Sequence, residues 1–406
     1  MVDLPAMATR DLQRVVDQLA EHLQRSVVLD DPDITLIAAS RHYGDQDEQR
    51  IRAVLQRDVG SPAIAHILDQ GVLRWTSPGV IPARDDIGMG RRHAMPVRWR
   101  GQVLGLLIVI DADASMDAGE VARLAQAADE LATLLYREQI ADDRERAATE
   151  ELVRQLLASG AEARHEAGRV LVERGYLKAG RWFSVLTAEV THAEGGVHPG
   201  TVTALRVAAE GVLRGRPSTG AYAVDGHRLA LVQVWSQTEV APHLRRQAET
   251  LRDTIAPLLE QGGDVVVGIG PAVADLDDCA RAGRGAVLAT RAAARVPAFG
   301  GLASYDDLGG YVPLLAVPPE TLTEELVPAG LLRLRAADRG GKLVPTLRCF
   351  LAHGGNVGEA ATELHLHRTS LYYRLERIAE ITGSPLDSGE VRLALHQGLL
   401  VLDLLG

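Results

Sequence analysis

The sequence predicts a multidomain chain of mixed α and β structure: an N-terminal α/β segment, a central α+β layer and an all-α C-terminal module. Three observations predict it. At 406 residues the chain exceeds one ordinary domain, which runs to roughly 100 to 200 residues. Its 46% hydrophobic and 24% charged residues are those of core-forming protein, not of a disordered chain. The apolar period alternates between helical and strand-like up to residue 297 and stays helical from Lys342 onward.

The net charge of −11 speaks against a nucleic-acid role for the chain as a whole, because a basic footprint is the usual mark of one; any such role has to be local. Cys279 and Cys349 stand 70 positions apart and form no CxxC or Cys/His cluster of metal-ligand spacing, so no metal and no cofactor are expected. A reducing cytoplasm fits this usage. The start, M-V-D-L-P-A-M-A-T-R-D-L, lacks the basic and apolar regions of a signal peptide. The apolar run near Val103 to Ile110 is far short of the ~20 residues that span a bilayer. A cytoplasmic protein with no membrane partner is expected.

Residues 9 to 25 carry Leu12, Val15, Val16, Leu19 and Leu23 at helical spacing. Val27 to Leu29 and Ile34 to Ala38 flank Asp30-Asp31-Pro32-Asp33, whose turn-forming residues predict a hairpin. Short helices are expected over 47–57 and 62–69, then two strands around Arg100-Gly101, the second apolar enough to be a buried central strand. On its run R-x-x-M-P-V-R-W-R-G-x-V-L-G-L-L, the segment 1–140 resembles a GAF or PAS-like sensor domain. The resemblance implies a small-molecule effector there or, equally, a dimerisation module.

From Asp117, Val121, Leu124, Ala128, Leu131 and Leu135 fall at coiled-coil steps. About two heptads leave a coiled coil and an amphipathic helix on the sensor sheet both open. The charged run after Tyr136 is read as a domain boundary, and Leu152, Val153, Leu156 and Leu157 open the next unit.

Over 150–297 the order is β-α-β-β-α-β-α: strand Arg181 to Val190, helix Thr201 to Leu213, a hairpin across Asp225-Gly226, helix Leu244 to Leu259, strand Asp264 to Ile269 and helix Leu276 to Ala294. That order suggests a ferredoxin-like α+β layer. The layout resembles the degenerate GGDEF-type domain in the middle of PucR/CdaR-type bacterial regulators. A working cyclase carries G-G-D/E-E-F at that hairpin, and V-D-G-H-R stands here at 224 to 228, with too few carboxylates for two-metal chemistry. No enzyme activity is expected. Gly262-Gly263-Asp264 precedes V-V-V-G-I-G and reads as a turn before the last buried strand. Gly268-Ile269-Gly270 lacks the third glycine and the downstream acid of a dinucleotide fingerprint.

Prolines at 313, 318, 319 and 328 and seven glycines mark 298–341 as a linker with one helix, Leu322 to Leu334. The module 342–406 follows. Lys342 to Ala352 makes a helix stopped by Gly354-Gly355, Asn356 caps the next with Glu359 in a variant capping box, and Leu371, Leu375 and Ile378 form the inward seam of a second, recognition helix. This is the pattern of a helix-turn-helix that enters the DNA major groove.

With that seam inward, Thr369, Tyr373 and Glu376 point outward, Ser370, Tyr372, Arg374 and Arg377 flank them, and Arg368 sits at the helix N-terminus. Arginine pairs with guanine, hydroxyls reach bases or phosphates, and a helix N-terminus attracts phosphate. Arg368, Thr369, Ser370, Tyr372, Tyr373, Arg374 and Arg377 are the candidate DNA-binding residues. Six basic against seven acidic residues over 341–406 make one copy a weak binder. A homodimer or higher homo-oligomer on two half-sites of double-stranded DNA, ~34 Å or a multiple apart, is therefore expected. The last helix, capped at Asp387 with Glu390, is apolar nearly all round and is buried either behind the module or in a subunit interface.

The run from Leu343, with its T-L, G-G-N, A-A-x-x-L, H-R, L-x-Y-R-L-x-R-I and T-G elements, closely resembles the C-terminal DNA-binding domain of PucR/CdaR-type transcriptional regulators over about 65 residues. Thr369-Ser370 stands where that family usually has Asn-Thr, which puts its base preference in question but not the fold. The resemblance implies effectors from metabolism, such as purine or sugar-acid catabolism. No ligand role is expected for His353, His365 or His367, the last serving as a helix cap. The reading is a signal-controlled transcription regulator. Its rivals are a nucleotide cyclase or phosphodiesterase in the middle domain, and a scaffold that binds no DNA.

Overall fold

Helix α1 (Leu4–Leu23) buries the expected stripe of Leu12, Val15, Val16, Leu19 and Leu23 against an antiparallel sheet. The computed structural model describes residues 4–406 other than 46, 48, 50–60, 159, 179, 193–198, 215–219, 237–240 and 260–262. The helix expected over 47–57 lies almost wholly outside the described residues.

The chain divides into two units, Met1–Arg146 and Ala147–Gly406. In the first, β1 (Val27–Asp30), β2 (Leu36–Ala39), β3 (Gly79–Ile81), β4 (Arg92–Trp99) and β5 (Gln102–Ile110) form one sheet in the order β2-β1-β5-β4-β3. The β4–β5 hairpin turns at Arg100-Gly101, both at positive φ. β5 is central. Its Leu107 and Val109 face α1, while Leu106 and Ile108 pack with Ile67 of α2 (Ser61–Asp69) on the other face. A strand buried on both sides reads as a continuous apolar run for this reason.

Helix α3 (Ala118–Leu157) is continuous through the charged stretch that was expected to divide two domains. Exposed charged residues with i,i+3 partners, such as Arg146 with Asp143 at 2.9 Å, are compatible with uninterrupted helix, and the division between the two units, after Arg146, falls within this charged run. Leu124, Ala128 and Leu131 are buried on the sheet, which decides for the amphipathic-helix alternative at those positions.

In the second unit, α4 (Ala161–Glu173), which the sequence reading missed, precedes β6 (Trp182–His192), α5 (Pro199–Arg214), β7 (Gly220–Asp225), β8 (Arg228–Trp235), α6 (Ala241–Ile255), β9 (Gly263–Ile269), α7 (Cys279–Arg295) and β10 (Leu302–Ser304). The sheet order is β10-β9-β6-β8-β7, antiparallel except that β10 runs parallel to β9. β9 is therefore not the last strand. Leu186, Ala188 and Val190 of β6 face α5 and α6, while Phe183 and Val185 pack with α4, α7 and the end of α3.

Gly268 and Gly270 have a packing role. A Cβ at Gly268 would collide with the Ala286 carbonyl, and one at Gly270 with that of Ala282, so the glycines let α7 lie close on β9. Helix α7 answers with Ala282, Ala286 and Ala289 on its buried face.

Residues 298–341 are not a loose tether. Beyond β10 they hold α8 (Tyr311–Leu315) and α9 (Ala329–Ala337), not a helix over Leu322 to Leu334. Leu308, Leu315 and Leu322 are buried with Ala289 and Ala292 of α7, and Val327, Leu331 and Leu334 enter the C-terminal core. Proline and glycine report where the chain turns, not whether the apolar residues between turns are buried. No helix among the described residues is long and apolar enough to cross a membrane.

Candidate nucleic-acid interface

The C-terminal helices are α10 (Leu343–Ala352), α11 (Val357–Glu363), α12 (Arg368–Thr382) and α13 (Gly389–Leu405). Asp338 caps α10: its carboxylate accepts from the backbone N–H groups of Lys342, Leu343 and Val344, each at 2.9 Å. Burial alone pushes the Asp338 pKa up, but those N–H bonds outweigh it and hold the group below the usual carboxylate range. Gly354 and Gly355, both at positive φ, stop α10, and Arg392 of α13 donates to the Gly354 carbonyl at 2.8 Å.

Asn356 caps α11 as expected, its Oδ1 accepting from Gly358 N at 2.9 Å and Glu359 N at 3.3 Å. The reciprocal half of the capping box is not made. Asn356 N donates to His353 O, and the Glu359 carboxylate lies 3.4 Å from His353 Nδ1. Ala360 and Ala361 are buried where α11 and α12 approach. His365 takes a left-handed φ of 52° in the turn, and His367 caps α12, its Nδ1 accepting from Thr369 N at 3.3 Å. Gly383, at φ 65°, closes the helix.

Leu371, Leu375 and Ile378 are buried, together with Thr382, so the inward seam is as the spacing predicts. The opposite face is open. Tyr373 is 74% exposed and Tyr372 60%, and Arg368, Thr369, Ser370 and Arg377 are exposed beside them. Two adjacent tyrosines held in solvent at a helix surface are an unusual exposure of large aromatic area.

The arginines differ. Arg368 makes no side-chain hydrogen bond or ion pair among the described residues, and it lies over Gly358 at the start of α11. Arg377 pairs with Glu380 at 2.8 Å, both exposed, a bond that solvent weakens. Arg374 is half-buried and donates to Thr346 Oγ1 of α10 at 3.1 Å, so it braces α12 from within the module. Thr346 and Asp338 are supporting residues that the sequence reading missed. A short polar residue four positions after Lys342 gives no signal of a partner 28 positions away.

α13 starts one residue later than expected, with Ser388 as its cap accepting from Val391 N. Leu395, Leu399 and Val401 share the core of α10 to α12, and Leu404 packs with α7. The helix is thus buried behind the module, with Leu393 left exposed. Asp403 accepts two bonds from Arg348 at 2.8 and 2.7 Å and one from the Tyr311 hydroxyl at 2.6 Å. Burial and the Asp403 carboxylate push the Tyr311 hydroxyl well above its ordinary pKa.

The histidines do not act alike. His353 on α10 meets Glu363 at 2.6 Å and lies beside Cys349, a grouping that the two-cysteine spacing did not disclose because Glu363 comes from the next helix. His353 is raised above its usual pKa, chiefly by the bond to Glu363. At the β7–β8 turn, Glu189 is paired with Arg228 at 3.0 Å and lies 3.5 Å from His227.

Residues 343–401 match the model of the PucR C-terminal helix-turn-helix domain. The C-terminal module is a PucR-type helix-turn-helix, and the chain is a transcriptional regulator similar to the PucR/CdaR type. It is a DNA-binding protein by that family's helix-turn-helix. The regulator is 20% identical over 97% of its length, and 96% of the relative's, to the proline-responsive transcriptional activator PutR of Bacillus subtilis. It is 42% identical over 71 residues, 17% of this chain and 18% of the relative, to the carbohydrate diacid regulator of Escherichia coli. Among solved structures it is similar to a regulator of polyketide synthase expression from Bifidobacterium adolescentis, at 16% identity and a TM-score of 0.29, covering 63% of this chain and 97% of that one.

Proposed function

We propose that the regulator reads the DNA major groove with the outward face of α12 and that a small metabolite at its upstream domains controls that reading. The observation that carries this is the exposure of Tyr372, Tyr373, Arg368, Thr369, Ser370 and Arg377 on one side of a helix whose other side is buried. Arg368, unpaired among the described residues and at the helix N-terminus, takes a phosphate or a guanine edge. The tyrosine hydroxyls, Thr369 and Ser370 fix register on phosphates or touch bases, and Arg377 releases Glu380 for a backbone phosphate. Arg374 both braces the helix through Thr346 and offers its remaining N–H groups on the flank.

The near-balanced charge of the module assigns affinity to a homodimer or higher oligomer bridging two half-sites. A tight single-site complex with a monomer by gel filtration would refute that part. The five-stranded antiparallel sheet of the first unit, between α1 and α3 on one face and α2 on the other, supports a GAF or PAS-like sensor at 1–140. The β9-β6-β8-β7 order supports a ferredoxin-like, degenerate GGDEF-type layer at 150–297, without catalytic role, its Glu189 engaged by Arg228. Proline-responsiveness and carbohydrate diacids in the relatives' names point to a small carboxylate as effector, in a cytoplasmic setting.

The test is selection of genomic fragments by wild type and by Arg368→Ala/Tyr373→Ala at one stated salt concentration. The double variant is expected to recover few or none of the wild-type fragments; equal recovery by both discredits the assigned face.

A further inference from the structure

Three side chains with three kinds of donor atom converge where α10 meets α11. Cys349 lies in the last turn of α10, His353 caps its C-terminus four residues on, and Glu363 closes α11. The Cys349 sulfur, a His353 ring nitrogen and a Glu363 oxygen all lie within 4.8 Å of one another. His353 Nε2 is 2.6 Å from Glu363 Oε2, and Glu359 sits 3.4 Å from the other ring nitrogen. Cys349 is buried, His353 half-buried and Glu363 exposed, so the group forms a shallow well with a sulfur at its floor and a movable carboxylate at its rim.

We propose that Cys349, His353 and Glu363 bind a divalent late first-row cation of the zinc type. Thiolate and imidazole donors disfavour the oxygen-seeking Mg²⁺ and Ca²⁺ and suit zinc-like ions. Bonds of about 2.0 to 2.3 Å to a tetrahedral ion require donors roughly 3.5 Å apart. His353 Nε2 and Glu363 Oε2, at 2.6 Å, stand closer than that, so the exposed Glu363 carboxylate swings outward to admit the ion. Three protein ligands leave a fourth position for water, while the Glu359 carboxylate, at the other ring nitrogen, orients the imidazole. On binding, the hydrated ion loses water, the thiol proton passes to solvent as the metal–sulfur bond forms, and the imidazole binds in its neutral form. The ion would staple α10 to α11, the two helices that support α12. The site stands independently of the DNA-reading assignment.

The alternative is a plain His353–Glu363 ion pair, and the two are separated spectroscopically. Co²⁺ is titrated into the full chain after chelator treatment, for wild type and for Cys349→Ser, His353→Gln, Glu363→Gln and Cys279→Ser, each checked for helix content by circular dichroism. Wild type and Cys279→Ser are expected to show a near-ultraviolet thiolate-to-cobalt band with the visible bands of a tetrahedral site, saturating at one ion per chain and erased by one equivalent of Zn²⁺. Cys349→Ser should lose the thiolate band, and His353→Gln and Glu363→Gln should each weaken binding by about 10-fold or more. A wild-type chain without the band, a band surviving in Cys349→Ser, or an affinity unchanged in His353→Gln overturns the proposal. If Cys349→Ser fails to fold, the two variants at less buried positions decide it.

Discussion

Helices α12 and α13 are neighbours in one module and are built on opposite terms. α13 buries Leu395, Leu399, Leu400, Val401 and Leu404 and is tied down by the Asp403 pairs with Arg348 and Tyr311. α12 buries a narrow seam of Leu371, Leu375 and Ile378 and holds two tyrosines and two arginines in solvent. Stability thus resides in one helix, and the face proposed to read DNA lies on the other. A helix that must offer a face to a ligand cannot also use that face for packing.

The sharpest way to break this contrast is Leu399→Ala. Leu399 is fully buried, so the truncation is expected to cost about 2 to 5 kcal/mol in chemical denaturation. A loss under about 1 kcal/mol would mean that α13 is not the structural helix. Next come the caps. His367→Ala removes the acceptor for Thr369 N and is expected to cost roughly 0.5 to 2 kcal/mol, with Asn at the same position restoring most of it.

Asp338→Asn is expected to lose about 1 kcal/mol at neutral pH. Because the folded pKa of Asp338 is depressed from 3.8, its contribution is complete above that value and is lost as pH falls through the lower folded pKa. The acid limb of a stability–pH curve should therefore be shallower in the variant; an unchanged limb contradicts the cap. The smallest stability effect is expected for Arg368→Ala and Tyr373→Ala, within about 0.5 kcal/mol, since neither side chain is packed. On the proposed reading their effect falls on DNA affinity. For Arg368→Ala, loss of a phosphate contact should flatten the slope of log affinity against log salt by about 0.9 per half-site.

Much of this was legible before any coordinates. The inward seam of α12 follows from i, i+4 and i+7 spacing, and the Asn356 and His367 caps from their places just before apolar-periodic runs. The hairpins at Arg100-Gly101 and Asp225-Gly226 follow from short turns between apolar strands. Less legible were the elements whose evidence is not local. β10 is three residues long and exists because β9 offers it an edge. The unbroken α3 hides its continuity behind exposed charge, and the 298–341 stretch hides its burial behind prolines.

The sequence by itself determined which residues of the C-terminal module face inward, because helical periodicity is a property of neighbours along the chain. Only the tertiary structure decided that Arg374 is half-held by Thr346 and Arg368 is not. The same is true of α13 packing on α7, and of Cys349, His353 and Glu363 meeting. Each of these joins residues on different helices, and the distance between two helices is set by packing, which no single stretch of sequence encodes.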